Sequence, residues 1–227
     1  MTRILVVDDD PHLREVLSYA LSRQGWAVTE VADGAQALAQ VQRQAPDLIV
    51  LDVVMPELDG IETCRRIRTF SAVPIVFLSS RDEELDRILG LEMGGDDYLT
   101  KPFSPRELCS RIKAVLRRAR PEAPPAPTKV LQVGNIKLDD TLHRVWVREV
   151  EVTLTVTEFA ILHVLMRHPG RAYNREELTE RAYGENHHIS DRTLDSHIRR
   201  IRQKCREAGV DPIETVHGLG YRLGEAV

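Results

Sequence analysis

Asp47-Leu48-Ile49-Val50-Leu51-Asp52 holds four successive apolar residues and closes on an acid, the pattern of a strand buried on both faces that delivers a carboxylate at its end. Two other runs share the design. Ile4-Leu5-Val6-Val7 leads into Asp8-Asp9-Asp10, and Asp97-Tyr98-Leu99-Thr100 leads into Lys101-Pro102. Parallel sheets covered by helices bind ligands at the carboxyl ends of their strands, where the strand order reverses. The three runs therefore bring acids and a lysine to one site.

Residues 1–120 alternate short apolar runs with longer amphipathic stretches, the signature of repeated βα units. Strands are expected near 3–7, 27–31, 47–51, 74–78 and 97–100, and helices near 11–24, 34–44, 60–69, 82–93 and 105–120. Five such units predict an α/β fold of flavodoxin-like (βα)5 type with a parallel sheet in the order 2-1-3-4-5. Asp8, Asp9 and Asp52 then stand beside the switch point between the first and third strands.

Residues 121–128 hold four prolines in eight positions, which predicts an extended linker reaching roughly 25 Å at about 3.1 Å per residue. From 129 to 227 the pattern changes. Strands near 130–133, 136–138, 143–147 and 150–154 precede helices near 157–168, 175–183 and 191–208 and a strand pair near 213–216 and 220–223. Three helices closed by a hairpin predict an α+β winged helix-turn-helix domain.

The chain of 227 residues, 42% hydrophobic, suits two soluble domains. Without an apolar run approaching the roughly 18 residues of a membrane span, or a signal-peptide pattern at Met1-Thr2-Arg3, the expected setting is cytoplasmic with no membrane partner. Cys64, Cys109 and Cys205 are too far apart for a zinc knuckle or disulfide framework and read as free thiols. The net charge of −4 hides its distribution: residues 1–120 carry 16 basic and 19 acidic groups, and residues 129–227 carry 15 of each.

Carboxylates crowded at one sheet edge repel, and a divalent cation relieves the repulsion. All-oxygen ligation with open positions for water and phosphate suits Mg2+. Asp52 is the candidate nucleophile, forming an aspartyl phosphate while metal and lysine stabilise the phosphoryl oxygens. Met55-Pro56 and Asp59-Gly60 shape a loop above it. Asp10 before Pro11 is explained as a helix cap, and Pro102 permits a cis bond after Lys101.

Asp8-Asp9, Asp52-x-x-Met55-Pro56-x-x-Asp59-Gly60, Ser79 and Gly94-Gly95-Asp96-Asp97-Tyr98-Leu99-Thr100-Lys101-Pro102-Phe103 together resemble the receiver domain of two-component response regulators. The resemblance implies that a sensor histidine kinase phosphorylates Asp52, that Asp9, Asp52 and the Val54 carbonyl bind Mg2+, and that Asp8 acts through water. It also implies that Ser79 is the hydroxyl turning toward the phosphoryl group and Tyr98 the aromatic switch. Locally, Ser80 and Glu83 have capping-box spacing, and Tyr98 also reads as an ordinary half-buried strand residue.

Arg87, Glu92, Asp96, Asp97, Glu107, Arg111, Lys113 and Arg118 read locally as solvated faces. Resemblance to OmpR/PhoB-type regulators instead implies a symmetric dimer interface, with Arg87 meeting Glu107, Asp97 meeting Arg111, and Glu92 meeting Lys113.

Leu194, Ile198, Ile201 and Cys205 form one apolar helical stripe, while Arg192, Ser196, Arg199, Arg200, Gln203 and Arg206 lie on the opposite face. Between Arg192 and Arg206 stand six basic residues and one acid, Asp195, a balance suited to DNA phosphates. Arg200 and Gln203 have donors able to read base edges. Leu154-Thr155-x-Thr157-Glu158-Phe159, His168-Pro169-Gly170-Arg171, Arg175-Glu176-Glu177-Leu178, Asp191 through Arg202, and Gly218-x-Gly220-Tyr221-Arg222 resemble the OmpR/PhoB winged-helix effector. The resemblance implies phosphate contacts by Arg192, His197, Arg199 and Tyr221, base-facing Thr193, Ser196 and Arg200, and an RNA polymerase contact near 184–190. His217 replaces the wing arginine of many relatives, which makes wing contact pH-sensitive. His187-His188 reads as exposed loop rather than metal ligand.

The sequence thus predicts a DNA-binding regulator of a bacterial two-component system, dimerising on phosphorylation and acting on double-stranded promoter DNA. It predicts no enzyme beyond Mg-dependent self-phosphorylation from a phosphodonor and autodephosphorylation. A constitutive DNA-binding regulator is the alternative, and an aspartyl-phosphate hydrolase a more distant one.

Overall fold

The computed structural model describes residues 1–80, 94–119, 130–184 and 191–224. The chain divides into two compact units, Met1–Arg117 and Arg118–Val227. The helix expected at 82–93, the segment 121–128 and the loop residues 185–190, with Arg87, Glu92, His187 and His188, lie outside the described residues.

In the first unit, strands β1 (Arg3–Val7), β2 (Ala27–Val31), β3 (Leu48–Asp52), β4 (Ile75–Ser80) and β5 (Asp97–Lys101) form one sheet in the order β2-β1-β3-β4-β5. Every pairing is parallel. Helices α1 (Pro11–Ser22), α2 (Gly34–Arg43), α3 (Gly60–Ile67) and α4 (Pro105–Ala119) complete the described elements.

Strand alternation explains how both faces are buried. Ile4, Val6, Leu48, Val50, Val76 and Leu78 pack with Leu17 and Leu21 of α1 and Leu108, Ile112 and Val115 of α4. Leu5, Val7, Ile49, Leu51, Ile75 and Phe77 pack with Ala37 and Val41 of α2 and Cys64 and Ile67 of α3. All five residues of β3 are buried, as its unbroken apolar run requires. Aspartates cap three of the helices where the chain leaves the sheet: Asp10 accepts from the backbone of His12 and Leu13, Asp33 from Gln36, and Asp59 from Glu62.

The second unit opens with an antiparallel sheet of β6 (Val130–Val133), β7 (Ile136–Asp139), β8 (Arg144–Val147) and β9 (Val150–Val152), paired in chain order. Helices α5 (Val156–Arg167), α6 (Arg175–Tyr183) and α7 (Asp191–Glu207) follow. The expected hairpin is present as β11 (Ile213–Val216) and β12 (Gly220–Leu223), but a two-residue strand, β10 (Tyr173–Asn174), pairs with β12 and makes the sheet three-stranded. Two residues are too few to show periodicity. Gly220 is needed there, because a Cβ would overlap the Tyr173 carbonyl oxygen. Leu194, Ile198, Ile201 and Cys205 pack with Phe159, Leu162, Leu165, Leu178 and the inner residues of the sheets.

Candidate functional site

The strand ends of the first unit converge as its topology demands. Asp8, Asp9 and Asp52 each place a carboxylate oxygen within 4.8 Å of the others. Asp8 and Asp52 are buried and Asp9 is exposed. Lys101, at the end of β5, places its Nζ 2.9 Å from Asp8 Oδ2 and 3.1 Å from Asp52 Oδ2. The Lys101–Pro102 bond is cis.

Local bonds hold these groups. Asp8 Oδ1 accepts from the Asp10 amide at 2.9 Å, and Arg14 of α1 donates to the Asp8 carbonyl at 2.6 Å. The loop after β3 folds back through a 2.9 Å bond from the Gly60 amide to the Val53 carbonyl. A side chain at Gly60 would overlap the Asp52 carbonyl oxygen, so only glycine lets α3 start this close. Met55 is buried in that loop while Val54 is half exposed. Ser79 is fully buried near the end of β4, and Tyr98 is buried in the same core cluster as Phe77.

Burial pushes Asp52 up to about 6; Lys101 opposes the shift, and the negative charges of Asp8 and Asp9 add to it. Burial alone would lower Lys101, but its bond to Asp8 and the charges of Asp52 and Asp8 raise it instead. Three carboxylates against one ammonium leave excess negative charge, reached from solvent through Asp9. An all-oxygen donor set of this kind fits a hard divalent cation such as Mg2+. Among the described residues no other cluster of three potential metal ligands was found.

The expected dimer residues divide. Asp96 is fully buried, which corrects its expected place on an interface: its Oδ2 accepts from the Ile75 amide at 3.1 Å and from Arg68 at 3.2 Å. Within the chain Asp97 and Arg111 pair at 3.1 Å, Arg111 also reaches Glu107 at 3.3 Å, and Lys113 donates to Gln24 at 2.7 Å. Arg118 lies half-buried in the last turn of α4.

On α7, Arg192, Arg199 and Gln203 are exposed and Arg200 is half-buried, while His217 is exposed in the β11–β12 turn. Four expected DNA contacts are not on the surface: Thr193, Ser196 and His197 are at most 4% exposed and Tyr221 is 5% exposed. His197 adjoins the apolar stripe on the helix wheel and is drawn into the core, its ring 6.3 Å from that of Tyr183. Ser196 lies opposite the stripe on the wheel and is nonetheless buried.

The Tyr221 hydroxyl donates to Asp195 Oδ1 at 2.6 Å. Arg175 pairs with the same carboxylate at 2.9 Å, and Arg202 donates to the Ile213 carbonyl at 2.8 and 2.7 Å and to Thr215 at 2.9 Å. Sequence reasoning assigned no role to Arg175 or Arg202. The available signal was Asp195, a lone acid in a basic helix.

Residues 4–113 match the family model described as a response regulator receiver domain, and residues 149–223 match the one described as the C-terminal part of transcriptional regulatory proteins. The chain is 40% identical over 226 residues to the sensory transduction protein RegX3 of Mycolicibacterium smegmatis, covering 98% of this chain and 99% of that one. It is 43% identical over 225 residues to the phosphate regulon transcriptional regulatory protein PhoB of Escherichia coli, with 97% of each covered. Among solved structures, a RitR variant superposes with a TM-score of 0.74 at 25% identity, over 99% of this chain and 100% of that one. DrrB, an OmpR/PhoB homologue from Thermotoga maritima, gives 0.51 at 30% identity, over 98% and 99%. With both halves matched and relatives aligned over nearly its whole length, the chain belongs to the OmpR/PhoB family of two-component, DNA-binding response regulators.

Proposed function

We propose that Asp52 accepts a phosphoryl group from a sensor histidine kinase and that its phosphorylation state controls assembly of the chain on promoter DNA. The observation that carries this reading is the buried Asp52 carboxylate, 3.1 Å from the Lys101 ammonium and beside Asp8 and Asp9. A half-neutralised carboxylate at a strand end is a nucleophile with a counter-charge already in position.

In the transfer, an Asp52 oxygen attacks phosphorus in line with the departing imidazole nitrogen; the P–O bond forms, the P–N bond breaks, and the imidazole leaves with its electron pair and takes up a proton. Lys101 attracts the equatorial oxygens as charge gathers there. Asp8, Asp9, Asp52 and the Val54 carbonyl are the groups that would hold Mg2+, which when bound neutralises the acids and the incoming phosphate. The Ser79 hydroxyl and Tyr98 are assigned to sensing the new group. Asp8 would contribute to holding the metal through water.

Phosphorylation shifts a pre-existing equilibrium toward a symmetric receiver dimer. The assigned interface comprises Arg87, Glu92, Asp97, Glu107, Arg111, Lys113 and Arg118. Pairing raises the effective concentration of the second DNA-reading unit. On DNA, Arg192 and Arg199 hold phosphates, Arg200 and Gln203 reach base edges, and His217 approaches from the hairpin turn. The loop near 184–190 is assigned to RNA polymerase, and the protein to the cytoplasm. Thr193 and Ser196 are assigned to base edges and His197 to phosphate.

Sedimentation velocity of the full chain, with and without acetyl phosphate and Mg2+, tests the coupling. The expected result is a shift from monomer to dimer that Asp52→Asn abolishes. An unchanged monomer fraction in the phosphorylated sample would remove it.

A further inference from the structure

A carboxylate on a DNA-facing helix repels phosphates, yet Asp195 sits among the six basic residues between Arg192 and Arg206. Its partners account for its presence. Arg175 of α6 reaches it through two nitrogens, at 2.9 and 3.3 Å, and the Tyr221 hydroxyl of β12 donates to it at 2.6 Å. Arg175 also lies over the Tyr221 ring, 5.3 Å from its centre. Two turns further along α7, Arg202 grips the Ile213 carbonyl and Thr215 of β11 and stands 5.9 Å from the Tyr221 ring centre.

One tie between a helix and a hairpin fixes a distance, whereas two ties fix an angle as well. Residues 195 and 202 share a face of α7 and lie roughly 10 Å apart along its axis at about 1.5 Å per residue. The exposed turn His217-Gly218-Leu219 projects from the hairpin so anchored, with Leu219 50% exposed. We propose that Asp195, with Arg175 and Tyr221, is a positioning residue that locks the hairpin to α7 and fixes the spacing between helix and hairpin contacts on the duplex. Its carboxylate lowers affinity for DNA of any sequence and raises discrimination between sequences. The proposal rests on the assignment of α7 as the DNA-reading element.

The test uses the full chain with acetyl phosphate and Mg2+. Duplexes are selected from a random pool with the wild-type protein, and the selected duplex and a scrambled one are titrated across a salt series. Asp195→Asn is expected to lose about tenfold in affinity for the selected duplex. Its affinity for the scrambled duplex rises, and its salt slope steepens by up to about one. Tyr221→Phe, which changes no charge, loses affinity for the selected duplex with the salt slope unchanged, and Asp195→Glu recovers part of the discrimination. The proposal is overturned if Asp195→Asn and Tyr221→Phe keep wild-type discrimination, or if they lose both duplexes in equal proportion with a lowered unfolding temperature. A wild-type protein that enriches no sequence would instead remove the DNA-reading assignment, and the proposal with it.

Discussion

Lys101 Nζ lies 3.1 Å from Asp52 Oδ2, and the two residues come from strands separated by β4 in the sheet. The side chain of Lys101 reaches across because β3 and β5 end at the same edge of a parallel array. Its charge is shared with Asp8, so removing it leaves two buried carboxylates without a cation. In Mg2+-free buffer, Lys101→Met is expected to lower the stability of the first unit by about 1 to 2 kcal/mol, discounted because Lys101 is partly exposed. Adding Asp52→Asn recovers most of the loss. Urea titration of the single and double variants checks this, and additive losses would contradict the shared charge.

Gly60 approaches the Asp52 backbone too closely for any side chain. Gly60→Ala therefore displaces either the start of α3 or the end of β3, at a cost of about 1 to 3 kcal/mol. Its phosphorylation rate is expected to fall while Gly25→Ala, at a glycine with open space around it, changes stability but not that rate. Parallel thermal unfolding and acetyl phosphate labelling separate the two effects, and equal labelling of both variants would contradict the geometry.

His143 stacks on Phe159 with ring centres 3.6 Å apart. Burial pushes it down to about 4 from an ordinary 6.5, with Asp140 opposing the shift and His163 adding to it. Between those values the unfolded chain holds the proton and the folded chain does not, so stability falls as pH falls through that window. The second unit is expected to lose about 1 to 2 kcal/mol between neutral pH and about pH 5, and His143→Asn to lose less. Denaturant midpoints at the two pH values decide it. An Asn variant with the wild-type pH slope would assign the loss to other groups.

The sheet was legible because each strand is an apolar run ending at a chemically marked residue, and its order followed from the alternation of strands and helices. The apolar stripe of α7 was equally plain, since Leu194, Ile198, Ile201 and Cys205 repeat at helical spacing and are all buried. Burial of polar groups carried no such period. Nothing in the sequence marked Asp96 as buried, and only the fold brought Arg68 and the Ile75 amide to it. Tyr221 and Asp195, 26 positions apart, meet because the fold brings the Tyr221 side chain of β12 to α7. The wheel put Ser196 on the outer face, and its burial had no signal in the helical period.

The central claim is covalent chemistry at Asp52, and peptide mass spectrometry after treatment with acetyl phosphate and Mg2+, with borohydride trapping of the acyl phosphate, tests it most directly. The account predicts one labile adduct, on the peptide containing Asp52, dependent on Mg2+ and lost in Asp52→Asn. No adduct, or one that persists at another side chain in Asp52→Asn, would contradict it.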